Sequence, residues 1–402
     1  MINIEQALEQ LLNTCQPITG SEQLALKQCL GRTLAKTIIA PINSPPFANS
    51  AMDGYAIISS DIPDHGQCSL TLSQTIAAGD CGQPLSSGYA ARILTGAPIP
   101  PGADCVVIQE DCRVTDNQLT LSGPVKKAAN IRPAGDDITE GSTALAAGLR
   151  LQAQHIAVAA SLGLRELPVQ RRLRVAILTT GDELQPPGQP LGTGQIYNSN
   201  QATLTALLQH CHCEIIDYGI LADDPALIEN TLLDAAASAD LIISSGGVSV
   251  GDRDYLKAAV ETLGQLELWR IAIKPGKPMA FGYIQSTPFF GLPGNPVSLF
   301  ITFVLLTRPY LLRRQGSIER AISPVHAIAR FDHHGPKYRQ EYLRARLQQE
   351  TNGKNSVIIY PNQGSAVLSS ASWADCLAII PMDSHITEGM AIDVLPLSAL
   401  LS

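Results

Sequence analysis

The chain has 402 residues, of which 45% are hydrophobic and 16% charged, and its formal net charge is −8. Such a composition builds packed cores, over about two to four domains at this length, and is not that of a disordered chain. An acidic balance also argues against broad, sequence-neutral nucleic-acid binding, so an anionic substrate would have to meet positive charge that is local.

The opening "MINIEQALEQLL" places Ile4, Ala7, Leu8, Leu11, Leu12 and Cys15 at helical spacing, with Asn3 as N-cap. It lacks the basic start and apolar core of a signal peptide, and no run of about 18 apolar residues is seen, so a cytoplasmic chain without a membrane span is expected. "TLAKTIIA" reads as a strand. From Pro41 to about Gly141, short β runs alternate with Gly, Pro and Ser turns, which predicts a small all-β module. "LQAQHIAVAASLG" returns to helix and stops at Gly163. This helix and the first are expected to pack together, with the β module inserted between them.

From Leu173 to about Gln315 apolar strands alternate with helices, ending in a long helix from about Pro296. Such βαβ alternation predicts a mostly parallel, doubly wound sheet covered on both faces. Beyond about Ser323, "VHAIARF", "QEYLRARLQ", "SVIIYP", "CLAIIP" and "AIDVLPL" predict a small barrel or sandwich. The expected organisation is therefore a multidomain α+β chain. Residues 1–43 with 142–170 form an N-terminal helix and strand unit, 44–141 an inserted β module, 171–318 the α/β domain and 319–402 a C-terminal β domain. The nine cysteines are scattered, odd in number and without a C-x-x-C, which indicates neither a disulfide framework nor a zinc ribbon. "HCHC" at His210–Cys213 has the look of metal ligands, but neighbouring strand residues point to opposite faces, so it is read as a helix running into a strand.

Open parallel sheets bind ligands beyond the carboxyl ends of their strands. Those ends carry "TTGDEL" (Thr179–Leu184), "ILADDP" (Ile220–Pro225), "SSGGVSVGDRDY" (Ser244–Tyr255), "KPGKP" (Lys274–Pro278) and "GLPGNPVS" (Gly291–Ser298). Two of these Gly loops open helices, where backbone amides can face an anion; tight turns use the same residues. Neither fits the P-loop or the dinucleotide fingerprint. Glu183, Asp223, Asp224, Asp252 and Asp254 gather on one sheet edge, and Mg2+ bridging carboxylates to phosphate oxygens would relieve their repulsion; Asp223, Asp224 and Asp252 can equally be read as N-caps. Lys274 and Lys277 stand in a loop stiffened by Pro275 and Pro278, a setting suited to a compact, doubly charged oxyanion.

Together "NSPPFANSAMDGYAI" (Asn43–Ile57), "LTGAPIPPGAD" (Leu94–Asp104), "TTGDEL", "SSGGVSVGDRDY", "IKPGKP" and "LPGNPVS" resemble the molybdopterin molybdenumtransferase family, the MoeA and gephyrin E-domain group, over essentially the whole chain. The resemblance implies insertion of molybdate into adenylylated molybdopterin with release of AMP, assisted by Mg2+. It implies a homodimer of four-part subunits, whose α/β site is completed by the β module of the other subunit. Molybdopterin adenylyltransferase and molybdoenzyme maturation factors are the implied partners. The matching site residues are Asp53, Thr95, Glu183, Asp223, Asp254, Lys274 and Lys277, with Glu183, Asp223 and Asp254 for Mg2+. Lys274, Lys277, Pro278, Arg344 and Ser365 fall on the molybdate. Ser245, Gly246, Gly247, Ser249, Gly251, Pro293, Gly294, Asn295 and Pro296 fall on the molybdopterin. Arg270 stands where some members carry lysine, and "FANSAMDGY" also reads as a plain turn into a strand. The rival readings are molybdopterin adenylyltransferase, a non-catalytic scaffold such as the vertebrate relatives form, and a generic sugar-phosphate binder.

Overall fold

The computed structural model describes residues 2–247, 255–318, 322–351 and 353–401, with the side chains of 267–270 and 278 outside that description. Its centre is a six-stranded sheet. The order is Glu214–Leu221, Arg174–Thr180, Leu241–Ser245, Thr287–Leu292, Pro278–Ile284, Gly264–Arg270. The first four strands are parallel and the last two pairings antiparallel, so the expected parallel sheet carries an antiparallel edge. Strand alternation divides the apolar residues between two cores. Val175 and Ile177 face one core with Leu204 and Leu208 of the helix Ser199–His210. Ala176 and Leu178 face the other with Ile228, Leu232 and Ala235 of the helix Pro225–Ser238. These two helices thus lie on opposite faces, and the strand order reverses beside Arg174–Thr180. In open sheets the ligand crevice falls at such a switch point, here beyond the carboxyl ends of Arg174–Thr180 and Leu241–Ser245.

The long C-terminal helix runs from Pro296 to Arg314 with a π turn over Phe303–Thr307. Its length and apolarity would suffice to cross a membrane, but 72% of its most apolar stretch is buried inside the protein, as befits a core helix. The first helix, Ile4–Thr14, is closed by the Asn3–Gln6 capping box. Ile4, Ala7 and Leu11 pack into the core that this long helix shares with the sheet, and the Ile18 amide donates to the Arg314 carbonyl at 2.8 Å. The helix Ala153–Ser161 contributes Ala159 to a separate core with Leu34, Leu151, Leu167 and Val169. The expectation that these two helices pack together is therefore wrong. The apolar stripe of the first helix is matched by the far larger apolar surface of Pro296–Arg314. "TLAKTIIA" holds only the short strand Ile38–Ile39, while Ser21–Ala25 forms an unforeseen strand against Glu166–Gln170.

Residues between these segments form a second six-stranded sheet. Its order is Cys105–Ile108, Gly54–Ile57, Tyr89–Ile93, Gln67–Ile76, Gln118–Ser122, Arg113–Thr115. In the C-terminal part the five predicted strands close on themselves as Gln340–Gln349, Asn355–Ile359, Val325–Ala329, Ala391–Pro396 and Cys376–Ile380, returning to the first. A sixth short strand, Ile273–Lys274, is lent to this barrel from the α/β segment and pairs in parallel with Gln340 and Glu341. "HCHC" joins helix to strand as expected. Cys211 and Cys213 are buried in the core, while the His212 ring lies against Gly31, where a Cβ would stand 1.9 Å from its Nε2. Burial pushes the His212 pKa down, and Arg150, Arg172 and Arg32 add to it.

At the opposite end of the sheet Asp240 accepts two bonds from Arg171, at 2.7 and 2.8 Å, and one from the Arg174 amide at 2.8 Å. Burial alone would raise the Asp240 carboxyl; the Arg171 and Arg174 bonds outweigh it and hold its pKa down to about 2. A depressed carboxylate stabilises the fold fully above its unfolded value near 4 and loses that contribution as pH falls through its folded value. Asp240→Asn should therefore cost about 2 kcal/mol at neutral pH and flatten the loss of stability between about pH 4 and pH 2. Urea unfolding of both proteins at neutral pH and at several points in that window checks this.

Candidate active site

The strand Arg174–Thr180 ends in a turn at Gly181, whose φ of +144° favours glycine and where a Cβ would stand 2.7 Å from Glu183 Oε2. Glu183 is exposed, and Asp223 is half-buried beyond the end of the neighbouring strand Glu214–Leu221. The pairing of Thr180 with Leu221 puts both acids on one sheet edge. Asp224, not Asp223, is the N-cap of the helix Pro225–Ser238, accepting from the Leu227 amide at 3.0 Å. Among the described residues no three His, Cys, Asp or Glu side chains converge as a metal site. Asp254, Ser249 and Gly251 lie outside the described residues, as does Asp252.

Ser245 closes its strand buried, and Gly246 and Gly247 follow with φ of +86° and +67°. A Cβ on Gly247 would lie 2.8 Å from Thr180 Oγ1 and 2.9 Å from Leu256 Cβ. Gly247→Ala should cost about 1–3 kcal/mol and lower turnover with it, because strain and overpacking fall on the same loop. The urea midpoint and the turnover rate check this together. Sequence reasoning missed Asn200, which ties this loop to the next. Its Nδ2 donates to Ser245 Oγ at 2.8 Å and to the Gly294 carbonyl at 2.7 Å. Asn198, also missed, N-caps the same helix through the Gln201 amide and donates to Thr179 Oγ1 at 2.8 Å. An "NSN" start to a helix at a strand's end was the available signal. Asn200 Oδ1 and Ser244 Oγ are buried without a hydrogen-bond partner among the described residues.

Pro293 and Gly294 lead into Asn295, at the start of the helix that opens with Pro296. Over that helix start lies a loop of the barrel segment, with the Ser365 carbonyl accepting from the Val297 amide at 3.1 Å. The Lys274–Lys277 loop packs against the same helix one turn on. Gly276 has a φ of +116°, and a Cβ there would lie 2.6 Å from Thr302 Cγ2. Ser245–Gly247, Gly294–Pro296, Ser365 and the two lysines are thus brought around one helix start. The lysines differ. Lys277 is exposed with no ion-pair partner among the described residues. Lys274 Nζ lies 2.8 Å from Oε1 of Glu341, a carboxylate only 1% exposed, whose Oε2 lies 2.9 Å from His333 Nε2. Neither Glu341 nor His333 was singled out by the sequence.

Arg344 is fully buried. Its Nε donates to Ser370 Oγ at 3.0 Å and its Nη2 to the Gly364 carbonyl at 3.1 Å, so its fork holds the loop that carries Ser365. Burial pushes its pKa down to about 10, with Glu341 pulling the other way. Asp53 and Thr95 pair with each other. Asp53 Oδ1 accepts from the Thr95 amide at 2.7 Å and hydroxyl at 2.8 Å, which holds its carboxyl below the usual range. This pair sits at the ends of the strands Gly54–Ile57 and Tyr89–Ile93, and no hydrogen bond or ion pair among the described residues links 44–141 to the chain beyond 171. Among the described residues, then, Asp53 and Thr95 make no direct bond to the loops at that sheet edge.

Family models match the chain in three stretches: the MoeA N-terminal region (domain I and II) at 2–163, the probable molybdopterin binding domain at 176–313 and the MoeA C-terminal region (domain IV) at 326–397. Molybdopterin molybdenumtransferase from Haemophilus influenzae is 39% identical over 100% of both chains. Gephyrin from Dictyostelium discoideum is 30% identical, over 97% of this chain and 61% of its own. A crystal structure of the molybdopterin biosynthesis moeA protein from Pyrococcus horikoshii superposes with a TM-score of 0.84 at 30% identity, over 98% of this chain and 99% of that one.

Proposed function

The chain belongs to the molybdopterin molybdenumtransferase (MoeA) family of molybdenum cofactor biosynthesis, and from that premise we propose that it inserts molybdate into adenylylated molybdopterin and releases AMP. The observation that carries this reading is the gathering of two glycine loops, Ser365 and two lysines around the start of the helix at Pro296. Backbone amides and helix starts suit phosphate, and paired ammonium groups suit a compact tetrahedral dianion. Lys277 supplies free positive charge and Lys274 a held one. Arg344 acts through the Gly364–Ser365 backbone that it anchors. The pterin-bearing substrate would lie along the crevice between Thr179–Glu183 and Ser245–Gly247. Asn200 ties the Ser245–Gly247 side of it to the Gly294 loop.

Glu183 and Asp223 fit Mg2+ in its usual manner, one or two carboxylates with the remaining positions filled by water and substrate phosphate. Bound there, the ion would neutralise phosphate charge. No protein nucleophile is required of this site: positioning and charge neutralisation carry the chemistry. A second copy of the chain would supply Asp53 and Thr95. The lack of any described bond from them to the sheet-edge loops within one chain supports this reading, and a cytoplasmic homodimer goes with it.

The test is AMP release from adenylylated molybdopterin by the purified chain with Mg2+, with and without molybdate. Molybdate-dependent release that falls about 100-fold in Glu183→Ala is the expected result. Release indifferent to molybdate would overturn the insertion reading. ATP consumption with metal-free molybdopterin would point to the adenylyltransferase instead, and substrate binding with no release to a scaffold.

A further inference from the structure

The two lysines of the anion site carry unequal charge. Lys277 faces solvent without a counter-ion among the described residues, whereas Lys274 is held at 2.8 Å by Glu341. That carboxylate is 1% exposed and lies directly beside Lys274 through the pairing of Lys274 with Glu341 in adjacent strands. Its second oxygen is taken by His333, which is 22% exposed and approaches from the short ribbon His333–His334. A buried carboxylate is costly to keep unless its partners are fixed. Here one partner is structural and the other is a lysine assigned to the substrate.

We infer that Glu341, backed by His333, is a positioning residue that fixes Lys274 and at the same time weakens the site's hold on the incoming tetrahedral dianion. The inference rests on the reading of Lys274 as an anion ligand. A dianion at Lys274 must share that ammonium with a negative charge one contact away, and the repulsion between them lowers ground-state affinity. Binding an anion too tightly before transfer lowers KM without raising kcat. Glu341 limits such over-binding and supplies a fixed geometry for the ammonium. His333 sets how much of the Glu341 charge falls on Lys274, because its donor engages the other oxygen.

Two substitutions then move the KM for molybdate in opposite directions. Glu341→Gln keeps an acceptor and removes the charge; KM should fall about tenfold, while kcat falls because Lys274 is no longer anchored. His333→Leu leaves Oε2 without its donor and concentrates the charge on Lys274; KM should rise about threefold. Glu341→Asp retains the charge and should keep KM near that of the wild type. A purely structural role predicts losses of kcat and stability with KM unchanged or raised in every variant, and that pattern would overturn the inference. Lys274→Ala run alongside separates the two levels. An unchanged molybdate KM in that variant means that the anion site lies elsewhere and the functional reading fails. If molybdate dependence is lost in Lys274→Ala but Glu341→Gln and His333→Leu shift KM the same way or not at all, only the role of Glu341 is refuted. His333 stands at the rim, so its variant remains informative should Glu341→Gln fail to fold.

Discussion

Coexpressing Asp53→Ala and Lys274→Ala chains, each inactive alone, should restore about a quarter of wild-type AMP release. If two copies exchange their 44–141 segments across a two-fold axis, half of randomly assorted dimers are mixed, and each mixed dimer holds one intact site of two. The basis is the geometry of a single chain. Asp53 and Thr95 are exposed, and their side chains bond to each other. The segment that carries them is joined to the rest of the protein beside the paired strands Ile38–Ile39 and Thr143–Leu145, and no described bond runs from it to the chain beyond 171. If each chain built its own complete site, no mixture of the two variants could recover activity. Assay of the coexpressed pair against each variant alone decides the matter, and an inactive mixture of folded dimers would sink the shared site.

The second large effect is expected at Arg344. Arg344→Ala removes the largest fully buried side chain of the protein, strips the Gly364 carbonyl of a donor and leaves a cavity beneath the loop that carries Ser365. A loss of about 3 kcal/mol follows from the cavity and the broken bonds together. Arg344→Lys should recover only part of it, since a compact ammonium lacks the planar fork that spans Ser370 and Gly364. AMP release should fall in step, because the Ser365 carbonyl would no longer be held on the Val297 amide. Urea unfolding measures the first effect. A change below about 1 kcal/mol would mean that the loop is held by other contacts, such as those of Gln363 with the Arg344 backbone.

Much of this architecture is legible in the order of the residues, for reasons that can be named. The five strands of the barrel alternate clearly enough to be read one by one, and the βαβ rhythm from Leu173 onward fixes both the sheet and the edge where ligands gather. Glycines with positive φ at Gly246, Gly247 and Gly276 fall in the loops expected to carry chemistry. What periodicity could not convey is partnership over distance. The first helix is amphipathic in isolation, but only the bulk of Pro296–Arg314 says which core it joins. Arg344 reads as a charged residue near an anion, whereas its neighbours make it a buried brace. Asn200 and Glu341 are ordinary polar letters until the fold sets one between two loops and the other against Lys274.

The short strand Ile273–Lys274 belongs by chain order to the α/β segment and by hydrogen bonding to the barrel. Barrel and α/β sheet are therefore not interchangeable parts. A chimera that grafts residues 322–401 from a relative onto this chain inherits a foreign neighbour for Lys274 unless the Ile273–Gly276 stretch travels with it. Positions 274 and 341, 67 residues apart in sequence, share one rung of the ladder, so a change at either alters the other's neighbour.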